Sequence, residues 1–454
     1  MTTRLVSVIG LAFGDCGKGL FTDYLCQQWQ AHTVVRFNGG AQAGHNVVLA
    51  DGRHHTFSQF AAGSLRPGVL TLLAQPMVVH PSALLVEQRY LQALGVHDAW
   101  QRMLIDGRCR VTTPYLQAAG RIRELARGAQ AHGSCGVGVG ETVRHSLQHA
   151  AQTVHYTELV QPALLFAKLE AQRRQLLAEV SQLSDTTAFA AEMALLQDAS
   201  IAQRWYAMIA PLGRLVPAAS KDQLAARLHQ PGTVLFEGAQ GVLLDEWRGF
   251  HPHTSWSSIG PQAVNAVAQE LGQNAPIKHL GVLRSYLTRH GQGPLPSHDV
   301  KLDVLPEAHN THDGWQGVFR RGQPDALLLR YALSVTGKLD GLLLSHMDAL
   351  SQVGGLQWCQ AYQAPQHAQD AQLCQRDANG HICALKLGEL GDLQHQAGLT
   401  QLLSQAQAQY PAPRIQDASA MIASVTEIAQ CPVLLAGFGA TCEQVKILPA
   451  FAAI

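Results

Sequence analysis

The sequence predicts an α/β fold, a single large domain whose central sheet is mostly parallel and flanked by helices. Three observations predict it. Unbroken apolar runs recur along the chain, helix-patterned stretches lie between them, and glycine-rich loops follow the first two runs directly. Parallel strands joined by helical crossovers are buried on both faces, so they read as continuous hydrophobic runs rather than alternating ones.

The elements follow in order. Leu5 to Ile9 ("LVSVI") is the first strand, then come glycines, then a helix from about Lys18 to Gln30. Thr33 to Phe37 is the second strand, with the glycine-rich "NGGAQAGHN" behind it. Further strands are expected at Val69 to Ala74, Thr233 to Gly238, His279 to Leu287, Gly341 to Leu350 and Pro432 to Gly439. The longest helical pattern, Leu159 to Leu196, carries apolar residues at three- and four-residue spacing. It belongs to a helical insertion at about 155–205 in a domain spanning 1–454. Gln360 to Gln401 is polar and Gln-rich, which predicts a surface region. The chain shows no internal repeat, low-complexity linker or charge block.

Lysine plus arginine and aspartate plus glutamate number 33 each, for a formal net charge of zero. No whole-chain field therefore favours nucleic acid or an anionic membrane, and an anionic ligand must be held by local features. The 22 histidines are scattered. Nine cysteines at irregular spacing, with no C-x-x-C pair, argue against a disulfide framework or zinc site and for a reducing compartment. No apolar run approaches the roughly 20 residues of a membrane span. The expectation is a cytoplasmic protein with small-molecule partners, no nucleic acid and no membrane.

Three stretches carry chemistry. The first is Gly14-Asp15-Cys16-Gly17-Lys18-Gly19, between a strand and a helix. Backbone amides at a helix start, glycines and a lysine make a phosphate cradle. A Walker loop would need Gly-x-x-x-x-Gly-Lys-[Ser/Thr]; here Ala12 and Gly19 stand at its first and last positions, and Asp15 is an unexpected acid. The second is Asn38 to Asn46, also just past a strand, where His45 could act as a general acid or a donor to developing charge. The third is Phe236 to Ser258, with Gln240 in a glycine-flanked turn and Thr254, Ser255, Ser257 and Ser258 as a hydroxyl cluster suited to phosphate.

Taken together and in order, Gly-Asp-x-Gly-Lys-Gly, "VVRFNGGAQAGHNVV", "FEGAQGVLLD" and "LTRHGQGPLPS" resemble adenylosuccinate synthetase. The family's blocks read approximately GDEGKGK, VVRYQGGHNAGHT, FEGAQGTLLD and STRVGAGPFPTE. The likeness runs from about Leu5 to Asp348 and more weakly to Gly439. It implies the family's P-loop-NTPase-like fold and a homodimer with shared sites. It also implies a ligase that phosphorylates O6 of a 6-oxopurine nucleotide and then displaces phosphate with the aspartate amine, using Mg2+ and a nucleoside triphosphate.

Residue by residue, the resemblance makes Asp15 the base that takes the N1 proton and a magnesium ligand. It makes His45 the donor to charge on O6 and the γ-phosphoryl group. Gly14, Gly17, Lys18 and Gly19 become the triphosphate cradle, and the Gly44 carbonyl a second magnesium ligand. Gln42, Gln240, Thr254 and Ser255 surround the purine nucleotide. Ser134 and Cys135 replace a Thr-Thr pair on its phosphate, and Arg144 matches an arginine lent across the dimer. Arg320 and Arg321 are the arginines available for the amino acid's carboxylates. Asp348 matches the residue that reads guanine, His346 replaces a lysine beside it, and Gly437 and Gly439 are the nearest matches to the last nucleotide loop. These departures leave GTP and ATP both open. Retention of Asp15 favours IMP. The alternatives are a 2-aminoadenylosuccinate synthetase acting on dGMP and a non-catalytic nucleotide-binding regulatory paralogue.

Overall fold

The computed structural model describes residues 3–183, 187–307, 310, 314–366 and 370–454. Its centre is a ten-stranded sheet. In chain order the strands are β1 (Thr3–Gly10), β2 (Ala31–Arg36), β3 (Leu70–Leu73), β4 (Met103–Asp106), β5 (Ala218–Ala219), β6 (Gly232–Glu237), β7 (Ile277–Arg284), β8 (Gly341–Ser345), β9 (Val433–Gly437) and β10 (Val445–Ile447). Their spatial order is β10-β9-β8-β7-β1-β6-β2-β3-β4-β5. All neighbours pair in parallel except β9 and β10.

The apolar runs explain the central strands. Val6, Val8 and Ile9 are fully buried, as are Val34, Val35, Val234, Leu235, Phe236, Leu342, Leu343 and Leu344. Side chains of a strand alternate between faces, so buried neighbours such as Leu342 and Leu343 show that both faces are covered. Three elements differ from the sequence pattern. The run His279 to Leu287 is cut after Arg284, and Leu287–His290 turns out of the sheet to pair with Phe319–Gly322 as a two-stranded ribbon. The long pattern from 159 to 196 is two helices, Pro162–Val180 and Ala190–Gln197. Residues 361–409 carry a separate four-stranded antiparallel sheet and the helix Leu393–Ser404.

The helix Pro162–Val180 shows how the second core is built. Leu165, Leu169, Leu176 and Val180 lie four or seven residues apart on its buried stripe and pack with Tyr115, Leu116, Ile122 and Trp205. Gln172 falls on the same stripe, fully buried. It is satisfied: its Oε1 accepts from Thr113 Oγ1 at 2.9 Å, and its Nε2 donates to Gln152 O at 2.8 Å. Cutting Leu169 to alanine is expected to lower unfolding free energy by about 2–5 kcal/mol, read as a shift in the urea midpoint at unchanged slope.

Candidate active site

The chain order of the sheet creates the site. From β1 the chain passes to β2 and outward through β3, β4 and β5. It then returns by β6 into the gap between β1 and β2 before crossing to β7. Ligands of open α/β sheets bind outside the carboxyl ends of the strands where the strand order reverses. Here the loops after β1, β2 and β6 meet at that edge and line one cavity of about 760 Å3.

These loops touch backbone to backbone. A Cβ on Gly241 would lie 2.1 Å from Ala12 O, and one on Gly19 would lie 2.4 Å from Asn46 O. Both contacts are shorter than any side chain allows, so glycine is required at each. Asn38 ties the second and third loops together: its Oδ1 accepts from Ala239 N at 2.8 Å and its Nδ2 donates to Ser258 O at 3.1 Å. Ser257 and Ser258 are consumed in this scaffold, Ser257 Oγ accepting from Gly39 N and Ser258 Oγ donating to Glu246.

The first loop enters its helix, α1 (Lys18–Gln28), through Gly17 in the left-handed region, φ 87°. The free amides of that first turn therefore face the cavity. Lys18 is 3% exposed, and its ammonium donates to Cys16 Sγ at 3.6 Å. Ser345 Oγ donates to Cys16 O at 2.9 Å and pins the loop to β8. Because that hydroxyl proton goes to a carbonyl, the 2.8 Å contact between Ser345 Oγ and His346 Nδ1 places the imidazole proton on Nδ1. Burial first, then Arg284, hold His346 well below the usual histidine range, so its Nε2 is an acceptor.

His45 and Glu237 form a buried pair at 2.6 Å, 4% and 0% exposed. Ala62 N donates to the other Glu237 oxygen at 3.0 Å. Burial pulls His45 down to about 4 against the pull of Glu237. Burial opposes ionisation of Glu237, but His45, Arg36 and the Ala62 amide hold its carboxyl below the usual range. The pair is thus a carboxylate accepting from Nδ1–H of a neutral imidazole. Nε2 of His45 has no partner among the described residues.

Asp15 faces the same cavity. Burial raises its carboxyl, but His290, Arg284 and Lys18 outweigh that and hold it below the ordinary range. It is therefore a carboxylate at neutral pH, the form a base needs.

Most residues singled out in the sequence converge here. Gly14, Asp15, Gly17, Lys18, Gly19, Gln42, Gly44, His45, Ser134, Cys135, Arg144, Gln240, Thr254, Ser255, His346, Asp348 and Gly439 all line the cavity. Gln240 has both amide atoms buried with no partner among the described residues. Arg144 pairs with Glu141 and, at 2.9 Å, with Glu179 of its own chain. Three residues do not line it. Gly437 packs beside Leu20. Arg320 donates to the carbonyls of Gly291 and Gly293, and Arg321 to Asp303 at 3.2 Å and to Leu305 O at 3.0 Å.

The adenylosuccinate synthetase family model matches residues 7–446. The chain belongs to the adenylosuccinate synthetase family. The adenylosuccinate synthetase of Myxococcus xanthus is 33% identical over 363 residues, 79% of this chain and 80% of that protein. That of Heliobacterium modesticaldum is 31% identical over 364 residues, 79% of this chain and 80% of that protein. The fold is that of the fully ligated Plasmodium falciparum adenylosuccinate synthetase, TM-score 0.77 at 18% identity, covering 98% of this chain and 100% of that one. A cyanophage succinoaminodeoxyadenylate synthetase, solved with dGMP and with dATP as an energy donor, shares the fold at TM-score 0.57 and 16% identity, over 99% of this chain and 96% of that one. As a member of the adenylosuccinate synthetase family, the chain is a ligase that forms a C–N bond.

Four residues of the cavity region carry little or no signal of their own in the sequence: Glu237, Arg284, Arg289 and His290. Glu237 stands inside the "FEGAQG" block, and its position as the last residue of a buried strand was the available signal. Arg284, Arg289 and His290 come from β7 and the ribbon beyond it. Replacing Glu237 by glutamine leaves one oxygen for two donors, so the amide that keeps the Ala62 N–H bond turns its NH2 to His45 and drives the imidazole proton off Nδ1. It is expected to lower kcat by roughly 10²-fold or more in a steady-state phosphate-release assay.

Proposed function

We propose that this chain joins a 6-oxopurine nucleotide, IMP, to L-aspartate in two steps driven by a nucleoside triphosphate, giving adenylosuccinate. One observation carries the reading: Asp15, Lys18 and His45, brought by two different strand-end loops, share one cavity wall. Family membership supports it. In the first step Asp15 takes the proton from purine N1, so O6 gains the electron pair with which it attacks the γ-phosphorus. Lys18 and the amides opening α1 hold the phosphate oxygens, and the nucleoside diphosphate leaves. In the second step the neutral aspartate amine attacks C6, the phosphate on O6 departs with the bonding pair, and the proton lost from the nitrogen ends on that phosphate. His45 stabilises charge on O6 and the transferring group by donating from Nε2 once that nitrogen takes up a proton in the presence of the bound phosphates, the imidazolium being held at Nδ1 by Glu237.

The donor set fits Mg2+. Asp15 offers a carboxylate and Gly44 a backbone carbonyl on the same wall, and this hard cation takes such oxygens together with phosphate oxygens. When bound, it would neutralise charge on the triphosphate.

For the triphosphate base the wall offers acceptors, the Asp348 carboxylate and His346 Nε2. Guanine presents two adjacent donors, N1–H and the 2-amino group, whereas adenine presents one donor beside an acceptor, so GTP is the co-substrate of this proposal. Arg289, on the wall, supplies positive charge for the amino acid's carboxylates. The same reading takes the protein as a cytoplasmic homodimer with Arg144 near the shared nucleotide site.

Phosphate release from GTP or ATP, across IMP, GMP and dGMP with aspartate or other amino acids, tests the reading. GTP, IMP and aspartate together should give the highest kcat/KM. Release that is independent of purine in every combination would sink it, and dGMP outrunning IMP would move the activity to a 2-aminopurine substrate. Asp15→Asn is expected to cost roughly 10²–10⁴ in kcat; turnover near the parent rate would remove Asp15 as the base.

A further inference from the structure

Asp15 is held at three points. Its own backbone is left-handed, φ 46°, which a non-glycine residue keeps only when its surroundings impose it. Arg284 imposes it from one side: its Nε donates to Asp15 O. That guanidinium is itself fixed, with Nη1 donating to Tyr286 Oη at 2.9 Å and to Glu307 Oε2 at 3.4 Å. The third point is the side chain. His290 Nε2 lies 3.4 Å from Asp15 Oδ2 and 3.1 Å from Asn310 Oδ1.

Both neighbours of that nitrogen are oxygen acceptors, so Nε2 carries the proton; it hydrogen-bonds Asn310 Oδ1, and Asp15 Oδ2 lies beside it at ion-pair distance. The ring is set by packing. His290 ends the ribbon strand Leu287–His290 directly opposite Phe319, ring centroids 4.9 Å apart. The rigid ribbon therefore fixes where the Nε2–H points, and the 3.4 Å contact takes up one oxygen of the Asp15 carboxylate.

We propose that His290 is a positioning residue for the catalytic base: its Nε2–H, steadied by Asn310, holds Asp15 Oδ2 so that the other carboxylate oxygen is the one presented to purine N1. The arrangement is the base-and-orienter pair of nucleophilic enzymes, here applied to a carboxylate base. It rests on the reading of Asp15 as the base.

The test is steady-state kinetics of the full chain carrying His290→Val or His290→Gln, beside Asp15→Asn. The valine removes the donor, and the glutamine amide restores one at similar reach. His290→Val should lower kcat by roughly 10- to 100-fold, because a mispositioned reacting group costs rate rather than affinity. The KM for the purine nucleotide should stay within about twofold, and His290→Gln should recover kcat to within about fivefold of the parent. If the valine chain does not fold, His290→Phe keeps the ring against Phe319 while removing the nitrogen, and the same split is read. A parent-like kcat in the donor-less variant, an equal loss in the glutamine variant, or a rise in purine or magnesium requirement at unchanged kcat overturns the proposal. An Asp15→Asn enzyme that turns over at the parent rate instead overturns the base reading on which it stands.

Discussion

Backbone contact between loops from three adjacent strands is the constraint on which the rest of the structure depends. The loop after β1 presses on the loop after β6 at Gly241 and on the loop after β2 at Gly19. At those distances no Cβ fits, so the loops nest as rigid main chain instead of interleaving side chains. Nesting brings Asp15, Lys18 and His45 onto one wall although they arrive from separate crossovers. It also explains the ordering of the sheet. Only because β6 returns between β1 and β2 can its loop touch both of the others.

The charges in this wall are paired in a way that keeps the low-dielectric interior tolerable. Glu237, with no exposed surface, is compensated by the Nδ1–H of His45, the Ala62 amide and the nearby Arg36. A buried carboxylate without such partners would cost several kcal/mol. Compensation by a neutral imidazole rather than a cation has a chemical consequence. It leaves the other nitrogen of His45 without a partner among the described residues. Arg289 shows the opposite situation. It is 3% exposed, its donors meet the carbonyls of Pro294 and His253 among the described residues, and it stacks on Phe13 at 4.0 Å with Arg320 across the ribbon. Two neighbouring cations whose partners among the described residues are carbonyls favour an anion, and a dicarboxylic amino acid is one.

What the sequence disclosed follows the range of the interactions. Strands such as Leu5 to Ile9 and Thr233 to Gly238 were legible because burial on both faces leaves an unbroken apolar run. Met103–Asp106 and Ala218–Ala219, too short to make such a run, escaped notice. That the Asp15 loop and the His45 loop line the cavity was legible because their glycines and polar residues are adjacent in the chain. His290 is 275 positions from Asp15 by its number, and no local pattern announces their contact. Arg320 and Arg321 show the converse. A pair of arginines in a substrate loop reads as a carboxylate fork, yet in the folded chain their guanidiniums serve Gly291, Gly293, Leu305 and Asp303. Residue type set the expectation, and strand pairing set the direction.

The same reasoning settles why the phosphate loop departs from a Walker sequence. A hydroxyl at position 19 would need a Cβ where Asn46 O already lies. The residue that supplies a magnesium ligand in a Walker loop is therefore sterically barred. In the proposed reaction Asp15 provides the oxygen instead. It sits four residues earlier than the missing hydroxyl, in a turn that Gly14 at φ 96° and its own left-handed backbone bend toward the cavity. Shifting the oxygen from the helix to the turn also brings a carboxylate rather than a hydroxyl to the edge of the site. A hydroxyl can ligate a metal but is too weak a base to deprotonate a purine; a carboxylate can do both. On the proposed function, the deviation at Gly19, imposed by the packing of the second loop against the first, and the acid at Asp15 are two ends of one change.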